Sequence, residues 1–369
     1  MKPMTVLLIS GGSGGHLVPA MALAEHLQPG DQCLLMSTRR PVDQILAADH
    51  PSSLQWETVG LQPFTPVWRW LFPPYVARQM GAVRQLCSVI SRSKPDVVVG
   101  FGGYLSAVGV MAARGAGIPS VIHEQNFMPG RANRWLSRLA DAVAVSFPET
   151  RRYLPARASV ETTGNPHRLR PGGITGPQAR AELGLDPQRP VLLIMGGSQG
   201  SQAVNRLSLR MWETIPEPRR KAVQLLHLAG STGASEAEQS YRRLGLRAVV
   251  FPFLRRMDLA LAAATLALSR AGATGIAEMV TMAVPSILIP YPYAGAHQQA
   301  NAEWTRGIGG AVVLEESGLS PERLGREVDA LLSDPERLAR MQQALRIRAD
   351  GAAADRLGKL VHRVAENRA

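Results

Sequence analysis

A short apolar strand running straight into a glycine loop occurs twice in this 369-residue chain, about half its length apart. Residues 5–10 (TVLLIS) lead into 11–16 (GGSGGH), and residues 191–195 (VLLIM) lead into 196–200 (GGSQG). A strand, a phosphate-style loop and a helix, repeated once, point to duplication of a Rossmann-like unit. The intervening pattern agrees. Apolar strands at 32–37, 96–100, 120–123 and 142–146 alternate with helical stretches at about 19–27, 75–93, 105–114 and 130–138. After the second loop, strands follow at 222–228, 248–251, 266–269 and 286–289. Continuous apolar strands between helices require a parallel sheet covered on both faces. The fold class is therefore α/β, with two Rossmann-like domains. The first is expected over 1–163 and the second over 164–351, divided near Gly164-Asn165-Pro166. The charged helical tail, about 352–369, is expected to pack back on the first domain.

Composition narrows the partners. The formal net charge is +12, which favours a polyanion: nucleic acid, anionic lipid or a phosphate-bearing substrate. Aromatic residues are only 5%, and no zinc finger or RNA-recognition motif is present, so no nucleic-acid partner is expected. Two cysteines, Cys33 and Cys87, make no disulfide framework and suit a reducing compartment. The short apolar stretch at 5–10 runs straight into glycines, so no signal peptide is expected, and no run of about 18 apolar residues announces a membrane-spanning helix.

The glycine loop at 11–16 lets backbone approach an oxygen-rich ligand at a helix N-terminus. It is not the dinucleotide fingerprint, because no acidic residue ends the second strand, and no Gly-Lys-Ser/Thr makes it a Walker loop. A dehydrogenase is disfavoured and no cofactor is expected. His16, at the positive end of a helix, should stay neutral near pH 7; it either caps the helix or serves as a general base. His123-Glu124-Gln125-Asn126 follows a strand, where ligands of open sheets bind; it either reads sugar hydroxyls or stabilises its own loop. In 269–278 (SRAGATGIAE) small residues admit a diphosphate to a helix N-terminus. Glu278, a turn further in, can accept from both ribose hydroxyls or simply complement the helix dipole. Gln298, in 297–301 (HQQAN), carries an amide suited to sugar hydroxyls. No metal-ligand spacing and no Asp-x-Asp occurs, so no metal is expected; if the chain transfers a sugar from a nucleotide, protein dipoles and basic groups such as Arg168 must stabilise the leaving diphosphate.

Taken in order, GGSGGH (11–16), KPDVVVGFGGY (94–104), HEQN (123–126), GNPHR (164–168), GGSQG (196–200), SRAGAT (269–274) and HQQANA (297–302) identify a family. Over essentially its whole length the chain resembles the MurG family of bacterial UDP-N-acetylglucosamine transferases. The resemblance implies the glycosyltransferase B architecture, two Rossmann-like domains facing a cleft. It implies inverting transfer of N-acetylglucosamine from UDP-GlcNAc to lipid I, giving lipid II. For the donor it implies Ser13, Gly14, Gly15 and Asn126 from the first domain. Arg168, Ser198, Leu254 at the uracil, Ala273, Thr274, Gly275, Ile276, Ala277, Glu278 and Gln298 complete the donor set. His16 is the position it favours as base, with Glu124 beside it as the second catalytic candidate. Where the family commonly carries a hydroxyl residue, this chain has Gly275, leaving only the backbone N–H there. Other readings in the same architecture are a lipid glycosyltransferase with another sugar or acceptor, and a UDP-GlcNAc 2-epimerase. A non-catalytic scaffold is a further class, against which the intact His16, Glu124, Arg168, Glu278 and Gln298 argue.

A lipid acceptor requires docking at a membrane. Residues 63–75 (PFTPVWRWLFPPY) pack five aromatics into thirteen positions. Trp and Tyr favour the bilayer interface and arginines favour anionic headgroups. Trp68, Trp70, Leu71, Phe72 and Arg78 are the expected contacts with anionic inner-leaflet lipids, on an irregular loop leading into a helix; ordinary core packing is the competing reading. The expected location is peripheral, on the cytoplasmic face of the inner membrane, with cell-wall synthesis and division proteins as possible neighbours.

Overall fold

A computed structural model describes residues 3–11, 14–40, 43, 54–61, 73–197, 200–293 and 296–367. Its contacts divide the chain into two units, 1–168 with 352–369 and 169–351.

Each unit is built on one wholly parallel sheet. In the first, β1 (Thr5–Ile9), β2 (Gln32–Thr38), β3 (Leu54–Val59), β4 (Val97–Gly100), β5 (Ser120–Glu124), β6 (Ala142–Val145) and β7 (Val160–Thr162) lie in the order β3-β2-β1-β4-β5-β6-β7. In the second, β8 (Val191–Met195), β9 (Gln224–Leu228), β10 (Ala248–Phe251), β11 (Leu266–Ser269), β12 (Ser286–Leu288) and β13 (Ala311–Val313) lie in the order β10-β9-β8-β11-β12-β13. The two orders are the same doubly wound topology. Each reverses direction beside its first strand, between β1 and β4 and between β8 and β11, and ligands of such sheets bind beyond the strand ends at that point.

The packing follows from strand periodicity. Val6 and Leu8 of β1 point to one face, with Leu17, Met21, Leu357 and Val361 from the helices Gly14–Ala24 and Ala353–Glu366. Leu7 and Ile9 point to the other, with Leu86, Ile90 and Leu105 from the helices Pro73–Ser93 and Gly103–Gly115. β8 repeats the device, Leu192 and Ile194 joining one core and Val191, Leu193 and Met195 the other. Two-sided burial of this kind is why these strands read as unbroken apolar runs.

Three strands, β3, β7 and β13, lie outside the expected set. Few of their residues are buried, because each is a sheet edge: β3 runs LQWETV and is largely half-exposed. The first helix also begins at Gly14, five residues before the expected start at Pro19. A proline is usual at the first helical position. Here it falls in the second turn, so His16 belongs to the first turn.

Candidate functional site

In the first unit, the loops after β1 and β4 meet at the switch point. Gly103 has φ 78°, and a Cβ there would stand 2.5 Å from the Gly11 carbonyl oxygen, so only glycine permits this approach. Gly102, at φ 99°, leaves room for the His16 ring, whose Nε2 lies 3.1 Å from where a Gly102 side chain would begin. The Nδ1–H of His16 donates to the Gly11 carbonyl at 2.8 Å, which leaves the Nε2 lone pair as the basic one. Burial lowers the pKa of His16, outweighing the Gly11 bond and the charges of Glu124 and Asp43. The ring is therefore a neutral imidazole near pH 7. The glycines of GFGGY, read in the sequence only as a family block, are what shape its pocket.

Glu124, at the end of β5, is buried, and its carboxylate accepts four hydrogen bonds. Oε1 takes the backbone N–H and the amide of Asn126 at 2.9 and 3.1 Å. Oε2 takes the Gly130 N–H at 3.0 Å and the Asn133 amide at 2.9 Å. The carboxylate is thus spent on the loop 125–130 and on presenting Asn126. Both oxygens accept in this way, an arrangement that suits holding the loop in place. His123 behind it donates through Nε2 to the Gly164 carbonyl at 2.9 Å, and complete burial brings its pKa down to about 4.

In the second unit, the helix Ala273–Thr281 starts directly beyond β11. Its first intrahelical bond is from the Ile276 N–H to the Gly272 carbonyl, 2.9 Å, so the N–H groups of Ala273, Thr274 and Gly275 precede the ladder. Gly275 faces open space, with nothing within 4 Å of a Cβ placed there. Ile276 is core, buried with Met279 and Val280. Ala277 and Glu278 are half-exposed. Loss of solvent raises the Glu278 carboxyl to about pKa 7, and among the described residues it has no hydrogen-bond or ion-pair partner.

The loop before this helix is held from several sides. Gln298 accepts through Oε1 from Ala271 N–H at 3.2 Å and Tyr291 N–H at 2.9 Å, and Asn301 donates to the Ala271 carbonyl at 3.1 Å. The Gln298 carbonyl is therefore committed to backbone, and its NH₂ is the half left for a ligand. Arg270, buried, donates to Ser201 Oγ at 3.0 and 3.2 Å and to the Ile289 carbonyl at 3.2 Å, pairs with Glu316, and lies 5.4 Å from the Tyr291 ring centroid. It ties the ends of β11 and β12 to the cap of the helix Gln202–Thr214. Sequence reading left Arg270 out of the site; a lone arginine between Ser269 and Ala271 carries no local sign of these four partners. Leu254, beyond the end of β10, is half-buried against this core.

Arg168 is paired with Glu25, its Nε donating to Oε2 at 3.0 Å. Gly14 and Gly15 form the first turn of their helix. Ser13, Ser198, Trp68, Trp70, Leu71 and Phe72 lie outside the described residues, as does most of the aromatic segment. Arg78 is exposed on the helix Pro73–Ser93. Among the described residues no cluster of His, Cys, Asp or Glu is placed to hold a metal ion, and no helix is long and apolar enough to cross a membrane.

Residues 6–145 match the glycosyltransferase family 28 N-terminal domain, and residues 191–357 match the family's C-terminal domain. The chain is 35% identical over 365 residues, 97% of each chain, to a UDP-N-acetylglucosamine–N-acetylmuramyl-(pentapeptide) pyrophosphoryl-undecaprenol N-acetylglucosamine transferase of Nocardioides sp.. Among solved structures it is similar to MurG of Acinetobacter baumannii, with a TM-score of 0.73 and 27% identity over 98% of this chain and 100% of that one. It also shares its fold, at 18% identity and a TM-score of 0.69, with a Listeria monocytogenes protein described as a UDP-N-acetylglucosamine 2-epimerase; 97% of this chain and 95% of that one are covered.

Proposed function

The chain belongs to glycosyltransferase family 28, and from that premise we propose that it transfers N-acetylglucosamine from UDP-N-acetylglucosamine to lipid I, forming lipid II for peptidoglycan. The observation that carries this reading is 35% identity to a transferase of that name over an alignment covering 97% of the chain, not one domain alone. The likeness to the epimerase concerns the fold only.

The residues suit an inverting transfer. In this reading Glu278 accepts from the two ribose hydroxyls, for which its unpartnered carboxyl is suited. The N–H groups of Ala273, Thr274 and Gly275 meet the diphosphate at the positive helix end. Leu254 lies at the uracil, and the Gln298 NH₂ and Asn126 reach the sugar. Nε2 of His16 takes the proton of the acceptor hydroxyl as its oxygen bonds to the anomeric carbon. The bond from that carbon to the UDP oxygen breaks, and the helix end stabilises the charge that UDP carries away. Glu124 positions Asn126. The aromatic stretch 63–75 and the net charge of +12 support peripheral attachment to anionic lipid at the cytoplasmic face of the inner membrane.

The test is an assay with labelled UDP-GlcNAc and a lipid I analogue, with UDP-GalNAc and UDP-glucose in parallel. Disaccharide-lipid product from UDP-GlcNAc alone is expected. Conversion of the donor to its 2-epimer without transfer would replace this reading by the epimerase one.

A further inference from the structure

The first unit contains a cavity of about 590 Å³ that the transfer mechanism does not use. It opens beyond the carboxyl ends of β2 and β3, where Thr38, Arg39 and Arg40 end one strand and Gly60 and Leu61 follow the other. The helix Pro73–Ser93 contributes Arg78 and Gln85 to its wall, and Tyr104 closes another side. That volume lies within the range of about 300–1,000 Å³ typical of small-ligand sites.

The walls are fixed. Tyr104 donates to the Leu61 carbonyl at 2.8 Å, and the Gln85 amide donates to the Thr58 carbonyl at 3.1 Å. Three guanidinium groups line one space, and Arg39 and Arg78 make no ion pair among the described residues. Like charges brought together in this way repel, and an anion among them removes the repulsion. Guanidinium forks fit phosphate oxygens two at a time, so three of them suit a group with oxygens on several sides better than a single carboxylate.

The cavity also adjoins the candidate base. Arg40 and Asp43 are close enough for their charges to act on His16. Thr38 stands 3.5 Å from the Cβ position of Gly11, whose carbonyl holds His16. Tyr104 is the residue after Gly103, which abuts that same carbonyl. An anion held by the arginines would therefore lie beside the hydroxyl presented to His16.

We propose that the cavity lined by Arg39, Arg40, Arg78 and Tyr104 binds the diphosphate of the lipid acceptor, separately from the donor's diphosphate site in the second unit. The inference rests on the transferase reading for the identity of the acceptor, and the anion site is testable without it. It also gives Arg78 a ligand within the cavity in place of a membrane headgroup.

The probe is inorganic pyrophosphate, titrated calorimetrically into the full chain kept saturated with UDP, so that the donor site is filled. The wild type is expected to retain one pyrophosphate site. Arg39→Ala/Arg78→Ala is expected to weaken it by about tenfold or more and to leave UDP affinity unchanged. Both residues are exposed, so the variant should fold, and a thermal melt verifies this. In the transfer assay the same variant should raise KM for the lipid I analogue while kcat and the donor KM hold. Absence of pyrophosphate binding beside UDP in the wild type, or equal binding in the variant, overturns the site. So does a variant that keeps pyrophosphate but no longer sediments with phosphatidylglycerol vesicles, because its arginines then serve a lipid surface. If the wild type binds pyrophosphate but transfers no sugar to the analogue, the transferase reading fails while the anion site stands.

Discussion

His16 and Gly11 are joined by a 2.8 Å hydrogen bond, Nδ1–H to carbonyl, across the turn between β1 and the helix that His16 helps to start. A carbonyl only accepts, so this bond selects the tautomer whose lone pair is on Nε2. Two consequences are measurable.

His16→Ala should lower kcat by roughly 10²–10⁴ while UDP affinity holds. The acid limb of the kcat/KM profile should lie below pH 6.5, because burial lowers the pKa of the free imidazole from that value. A variant affected only in donor KM would make His16 a binding residue.

Glu278 should make donor binding depend on pH. Its carboxyl has a pKa of about 7 and accepts from both ribose hydroxyls only when ionised. UDP should therefore bind more tightly as pH rises from 6 to 8, and Glu278→Gln should abolish that dependence. Glu278→Ala should cost about 2 kcal/mol or more of UDP affinity. Calorimetry at three pH values decides both, and a flat wild-type profile would separate Glu278 from the ribose.

Removing the Glu124 carboxylate strands the Gly130 N–H and the Asn126 amide in a half-buried loop and the buried Asn133 amide in the helix that follows. Glu124→Ala should destabilise the protein by about 2–4 kcal/mol, since each buried donor left without a partner costs about 1–3 kcal/mol. Urea denaturation measures this. Wild-type stability with lost activity would instead return Glu124 to a reacting role.

Gly275→Ser should be accepted, because the position is helical and open. It should add a hydroxyl beside the N–H groups of the helix end and remove glycine's helix penalty, a few tenths of a kcal/mol relative to serine. Tighter UDP binding with unchanged or higher Tm is expected; weaker binding would show that this helix end requires bare backbone.

His123 and His227 should weaken the fold in acid. Burial lowers each to about pKa 4, His227 while held between Tyr241 at 2.7 Å and Asn205 at 3.1 Å. Unfolded, each binds its proton near pH 6.5, so stability is full above that pH, falls as pH drops from 6.5 to 4, and levels off below. The loss should reach on the order of 3 kcal/mol per histidine by pH 4. Denaturation curves from pH 7.5 to 4 measure the slope, and His227→Gln should lessen it; an unchanged slope would clear His227.

The architecture was legible in the sequence because it rests on local and periodic signals. Central strands such as β1 and β8 are buried on both faces and so appear as apolar runs, each followed by glycines. Where one face stays open, as in LQWETV of β3, the run dissolves into polar residues and the strand escapes notice. Residue types at the donor site were legible too: Glu278 and its small-residue helix start stand together within ten positions. What each polar group does depended on partners distant in sequence. Glu124 becomes a loop anchor only because Gly130 and Asn133 fold back onto it. Arg270 becomes a tie only when Ser201 and Glu316 are brought beside it, and Arg168 is matched to Glu25 from 143 positions away. Arg39, Arg40 and Arg78 read singly as solvated charges, and the tertiary fold gathers them around one cavity. Burial and hydrogen bonding across the fold, which set a side chain's charge and availability, have no local trace in sequence; periodicity does.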